Sequence, residues 1–173
     1  RPLATGDSLA ADYLHEDEAG NLWMLAWSPA VGLIKYDRQT QQLTEYPFGA
    51  GAVGIASSNL LDDGGNGFWV SSSLGLYYFD LQTERFTHHF QHNVTNPDSL
   101  NDNIVVSVYR DRAGVLWVGT ENGGLNILNF QQEQFGAYRH DPANPNSLAS
   151  GRVSAIYQDP DGIVWGGYFP RAL

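Results

Sequence analysis

Tyr109-Arg110-Asp111-Arg112-Ala113-Gly114-Val115-Leu116-Trp117-Val118-Gly119-Thr120, followed by Asn122-Gly123-Gly124-Leu125-Asn126-Ile127-Leu128, decides how the rest of the chain is read. Val106, Val108 and Tyr109 are strand formers. Asp111 to Gly114 has turn chemistry, and Leu116-Trp117-Val118 is a second apolar run. The order is strand, tight turn, strand, loop, strand.

The same grammar recurs along the chain. Trp23, Trp69, Trp117 and Trp165 are spaced by 46, 48 and 48 residues. Each follows an Asp/Gly turn: Asp17-Glu18-Ala19-Gly20, Asp62-Asp63-Gly64-Gly65, Asp111-Arg112-Ala113-Gly114 and Asp159-Pro160-Asp161-Gly162. The first, third and fourth put Trp three residues after the last Gly, and the second puts it four after. Three Gly-Leu pairs come next, Gly32-Leu33, Gly75-Leu76 and Gly124-Leu125. Each opens a strand ending in a polar corner, at Tyr36-Asp37, Phe79-Asp80 and Leu128-Asn129. An aromatic-rich strand closes each module: Leu43 to Tyr46, Phe86 to His89 and Phe135 to Tyr138.

Four short strands per module of about 40–50 residues are the mark of a β-propeller blade. The expected fold is all-β, with blades of four antiparallel strands. Blades are expected at about 12–46, 54–90 and 104–139, with a partial blade at 153–173. The whole of 1–173 then reads as one partial propeller of about three and a half blades. Trp23, Trp69, Trp117 and Trp165 are expected to be core anchors between blades. On that footing Trp117→Ala should cost about 3–5 kcal/mol. The phrase Asp7-Ser8-Leu9 returns as Asp98-Ser99-Leu100 and Asn146-Ser147-Leu148, marking entry into a blade.

Composition narrows the classes. Apolar residues make up 42% of the 173, enough for a packed core, and no apolar run approaches the roughly 18 residues of a membrane span. No direct membrane contact is expected. The net charge of −10 argues against nucleic acid as partner and suits a solvated surface or a neutral or cationic ligand without selecting among them. There is no Cys, which excludes disulfides and thiol chemistry. The start at Arg1, without Met or a signal-peptide pattern, reads as an excised piece. Too few blades to close a ring should leave apolar end faces, so self-association or a two-fold dimer through them is expected.

The phrase from Ser99 to Val105, continued by Val108 to Thr120 and Gly123 to Asn126, resembles the two-component regulator propeller repeat. Val153 to Trp165 resembles it as well. The first two modules fit more loosely, with Met24-Leu25-Ala26 and Val70-Ser71-Ser72 in place of apolar-Gly-Thr. The resemblance implies the periplasmic sensor region of a transmembrane signalling protein. In that family such repeats form one or two seven-bladed propellers ahead of a β-sandwich, a transmembrane helix and a cytoplasmic output. The output is a histidine kinase or a GGDEF diguanylate cyclase, and ligands in the best-known branch are glycan fragments. No output module is in this chain, so the resemblance implies sensing without catalysis and without a cofactor.

In a four-stranded antiparallel blade, the first-to-second and third-to-fourth turns lie on one face of the propeller. The second-to-third loops and the blade-to-blade linkers lie on the other. Variable loops on a rigid scaffold favour binding, so the second face is the expected ligand face. Trp27, outside the repeat, can stack on a sugar ring or pack beneath its own loop. Glu121 and Asn122 offer hydrogen-bond partners for hydroxyls or form a solvated turn. His88 and His89 should point to opposite faces of a strand, which does not favour a metal with His92. The Asp-rich turns lack the ligand run of a calcium loop, and Asn93-Val94-Thr95 fits a glycosylation sequon. No catalytic residue stands out. A propeller enzyme of the virginiamycin B lyase-like or glycosidase type, and a protein-interaction scaffold, are the alternatives.

Overall fold

The computed structural model describes residues 10–28, 32–48 and 59–169, without the side chains of residues 12, 27 and 28. Among these residues there is no helix, and none therefore long and apolar enough to cross a membrane. Blade 1 comprises β1 (Ala10–Glu16), β2 (Leu22–Ser28), β3 (Gly32–Asp37) and β4 (Gln42–Pro47). Blade 2 comprises β5 (Leu60–Asp62), β6 (Gly67–Ser72), β7 (Gly75–Asp80) and β8 (Arg85–Phe90). Blade 3 comprises β9 (Val105–Arg110), β10 (Leu116–Thr120), β11 (Leu125–Asn129) and β12 (Gln134–Tyr138). A two-stranded sheet, β13 (Arg152–Gln158) and β14 (Val164–Phe169), begins a fourth. Within every sheet the strands lie in chain order and pair antiparallel. The fold is all-β, a partial propeller. The start expected for blade 2, near residue 54, lies outside the described residues.

The repeat sequence explains the blades locally. Residues of β6 and β7 alternate between two neighbours, because successive strand side chains point to opposite faces. Phe68, Val70, Tyr77 and Phe79 join Trp23, Leu25 and Leu33 of blade 1 in one core. Trp69 and Tyr78 join Val108, Leu116, Val118, Leu128 and Phe135 of blade 3 in the other. Blade 2 is therefore buried on both faces, which is why its middle strands are apolar at consecutive positions. The Gly of each Gly-Leu pair opens the third strand against the fourth. A Cβ on Gly124, whose φ is +78°, would lie 2.4 Å from the Tyr138 carbonyl oxygen.

The four repeat Trp residues do not share one environment. Trp23 is fully buried, with the edges of Phe68 and Phe79 of blade 2 at 5.2 and 5.3 Å. Trp69 is 2% exposed and meets Phe130 of blade 3 edge-on at 5.4 Å. Trp117 is half-buried and stacks on Tyr138 of its own blade. Trp165 is 58% exposed, with no described strand packed on it. The cause is geometric. Trp23 and Trp69 share a core with side chains of the second, third and fourth strands of the following blade. The unit after Trp117 has only two strands, and no described residue lies beyond β14. The outer face of β13–β14 is accordingly apolar and open, with Tyr157, Ile163, Trp165 and Phe169 exposed.

Blades 3 and 4 approach closely at Gly119. Ser107 Oγ donates to the Val153 carbonyl at 2.8 Å. A Cβ on Gly119 would lie 2.2 Å from that hydroxyl and 2.4 Å from that carbonyl oxygen.

Candidate functional site

The Asp of each turn has a second duty beyond capping. Asp17 Oδ1 accepts the amides of Ala19 and Asn21 at 3.0 and 2.8 Å, while Oδ2 accepts the Trp23 indole N–H at 2.8 Å. Asp111 repeats this with Ala113, Val115 and Trp117, at 2.9, 2.9 and 2.8 Å. Asp159 does so with Ile163 and Trp165, at 2.9 and 2.8 Å. Burial pushes the Asp17 and Asp111 carboxyls up. The hydrogen bonds from the indole and the turn outweigh it and leave both below the usual carboxylate range. Asp159 is held low by the Trp165 indole first and by turn amides next.

Blade 2 departs from this pattern. The turn starts in register at Asp63, whose amide donates to the Gly67 carbonyl as Asp111 does to Val115. Counted from Asp63, Trp69 stands at the same spacing as its three counterparts. The apparent extra residue comes from reading Asp62, the last residue of β5, into the turn. Yet the Asp63 carboxylate does not hold the indole. It accepts the Tyr78 hydroxyl at 2.9 Å and pairs with Arg110 of blade 3. Burial and the Asp63 bond raise the Tyr78 phenol above its ordinary range. The Trp69 indole N–H is buried with no hydrogen-bond partner.

The residue before each turn Asp has a part in the diversion. From blade 2 onward it reaches back to the preceding blade, whereas Glu16 pairs with Arg38 of its own blade. Asp62 meets His15 at 3.3 Å, Arg110 meets Asp63, and Gln158 accepts the Arg112 amide at 3.0 Å. Only in blade 3 is this residue a cation; its guanidinium pairs with Asp63 Oδ1, while the Tyr78 hydroxyl takes Oδ2, the oxygen that holds the indole in the other three turns. Arg110 Nε is itself buried without a hydrogen-bond partner. Asp63, Trp69 and Arg110 line a cavity of about 550 Å³ between blades 2 and 3, walled by Leu116, Leu128 and Phe130.

A smaller cavity of about 260 Å³ lies at the equivalent place between blades 1 and 2, where His15, Asp17, Trp23, Lys35 and Glu84 meet. Here Glu84 bridges the blades, taking Lys35 Nζ and the Tyr46 hydroxyl, both at 2.5 Å. The Lys35 ammonium and then the Tyr46 hydroxyl hold Glu84 below its usual range. Glu84 achieves this from a φ of +50°, matched by Gln41 and Glu133 at the same place in their turns.

The loops on the other face are committed to holding each other. Thr120 Oγ1 donates to the Gly124 carbonyl and accepts the Gly123 amide, both at 3.0 Å. Ser72 does the same work in blade 2, at 2.9 Å to the Gly75 carbonyl and 3.0 Å from the Leu74 amide. Of the residues singled out from sequence, Glu121 pairs with Arg152 at 3.3 Å. Asn122 donates its amide and its side chain to Asp102 at 2.8 and 3.1 Å. Asn122 also lines a cavity of about 290 Å³ with Arg139 and His140. Trp27 lies near the end of β2, and its side chain falls outside the described residues.

The two long linkers are internally tied twins. His92 Nδ1 donates to the Leu100 carbonyl at 2.6 Å, and His140 Nδ1 to the Leu148 carbonyl at 2.8 Å. Ser99 and Ser147 accept the amides of Asn93 and Asp141, each at 2.9 Å. Their shared signal, His at the head and Asn-Pro before the Asp/Asn-Ser-Leu phrase, is readable in the sequence. His88 and His89 lie apart: His88 packs by Phe130, and His89 stacks on Tyr77. Among the described residues no three His, Asp or Glu side chains are grouped to hold a metal ion.

The family described as two component regulator propeller matches residues 99–122 and 147–168. No protein with a curated description matches the chain. Among solved structures, the extracellular domain of the hybrid two component system BT3049 from B. thetaiotaomicron is similar, with a TM-score of 0.71 at 22% identity. That alignment covers 97% of this chain and 24% of the other. The extracellular domain of BT4673 from the same organism aligns with a TM-score of 0.66 at 19% identity, covering 97% and 21%. The chain thus spans under a quarter of the length of each, and the likeness is one of fold. In two of its modules, residues 99–122 and 147–168, the chain is similar to the two-component regulator propeller repeat.

Proposed function

We propose that this chain is part of an extracytoplasmic sensor propeller in a two-component signalling protein, where it recognises a small molecule such as an oligosaccharide. The observation that carries the reading is the pair of two-component regulator propeller repeats at 99–122 and 147–168. The similar solved structures, described as extracellular domains of hybrid two-component systems, support it. In this reading the chain contributes recognition in the periplasm, and a kinase or cyclase elsewhere in the parent protein contributes catalysis.

Thermal shift with a panel of neutral oligosaccharides, amino acids and organic acids tests this on the full ectodomain. A ligand at about a hundredfold its Kd should stabilise the folded state by about 2.7 kcal/mol. For a cooperative unit several times longer than this chain, that is a rise in Tm of about 1–3 °C. A panel without a single stabilising member would count against sensing and favour a scaffold.

A further inference from the structure

We infer that the cavity between blades 2 and 3, floored by Trp69 and Arg110, is a binding site for a neutral, hydroxyl-bearing sugar ring. The inference rests on the sensor reading and moves the site from the loop face to the turn face.

The repeat itself supplies the control. In three of four turns the indole N–H is satisfied by the turn Asp at 2.8 Å. At Trp69, which is 2% exposed, it is not. An unmet buried donor loses its water without gaining a partner, so its retention calls for a use. A second unmet donor, Arg110 Nε, belongs to the same cavity. Two unmet donors, with no unmet buried side-chain acceptor among the described residues of this cavity, call for a ligand oxygen. Charge selects the kind of oxygen. Asp63 and Arg110 neutralise each other, and a ligand carboxylate would sit beside the Asp63 carboxylate. A hydroxyl or ring oxygen carries no such penalty. Size and wall agree: about 550 Å³ suits one or two sugar rings, and half-exposed Phe130 offers an aromatic face at the lip. Phe130 meets Trp69 edge-on at 5.4 Å, so a ring stacked on Phe130 lies beside the indole.

The test uses the same neutral oligosaccharides on the full ectodomain, followed by calorimetry and by the ¹H–¹⁵N indole resonances of the tryptophans. A binding sugar should shift the Trp69 resonance and leave that of Trp23 in place. Trp69→Phe and Phe130→Ala should each weaken binding about fivefold. Arg110→Gln, which copies Gln158, removes one of the two unmet donors and should weaken the sugar while the protein stays folded. A sugar that binds with the Trp69 resonance unmoved and Arg110→Gln without effect overturns this site and leaves the sensor reading intact. So does stabilisation by amino or organic acids alone. Absence of any stabilising compound overturns both.

Discussion

Trp23, at the junction between blades 1 and 2, and Trp165, on the outer face of the two-stranded unit after blade 3, come from the same repeat, yet Trp23 is sealed while Trp165 is exposed. Both rings carry the same indole-to-carboxylate bond at 2.8 Å. The difference lies in the neighbouring strands. Trp23 faces Phe68 and Phe79 of blade 2, while no described strand faces Trp165. The motif therefore aims the ring, and the next blade turns that aim into burial energy.

The largest effect separating the two should come from Trp23→Ala, which empties the core shared with Phe68 and Phe79 and should cost about 3–5 kcal/mol in denaturant unfolding. Trp117→Ala, at a half-covered site, should cost about half as much, less than its sequence position suggests. Next is Gly119→Ala. Its Cβ would meet the Ser107 hydroxyl and the Val153 backbone, so blades 3 and 4 must move apart at about 1–3 kcal/mol. Increased hydrogen exchange in β13, with blade 1 unchanged, would locate the damage.

Asp111→Asn should cost about 1.5 kcal/mol. The amide oxygen can still serve the turn amides, but the amide nitrogen cannot accept the Trp117 indole. Asp17, Asp111 and Glu84 all sit below their ordinary values in the folded state. The unfolded chain then binds more protons in that window. Their stabilisation is present above about pH 4 and is lost as pH falls through the lower folded values. Calorimetry between about pH 6 and pH 3 should show Tm falling most steeply below about pH 4, with a shallower fall in Asp111→Asn. The smallest effect is expected at Trp165→Ala, under about 1 kcal/mol, because most of that ring is already wet. A loss comparable with that of Trp23 would break the comparison.

The blades were legible in the sequence because their signals are local. Turn residues, alternation and the Trp spacing all act within one module. What a side chain meets across a junction is not local. Trp165 reads the same as Trp23, and only the neighbouring strands tell them apart. Glu121 and Asn122 looked available because nothing near them in sequence reveals Arg152 and Asp102 opposite. The constant six-residue step from Asp to Trp was visible in all four modules. Its failure at Asp63 was not, since the carboxylate is taken by Tyr78 of another strand and Arg110 of another blade. The change of that pre-turn position from Glu16 and Asp62 to Arg110 and Gln158 is the trace left in the sequence.

The linkers from His92 to Leu100 and from His140 to Leu148 close upon themselves, His to Leu and Ser to backbone amide. A segment that meets its own hydrogen-bonding needs makes few demands on where it lands. A blade and its linker can then be copied within a gene and inserted beside an older copy without redesigning either. Such duplication keeps the period near 48 residues while the turn faces drift apart, so each new blade brings a ready scaffold and one more junction open to change.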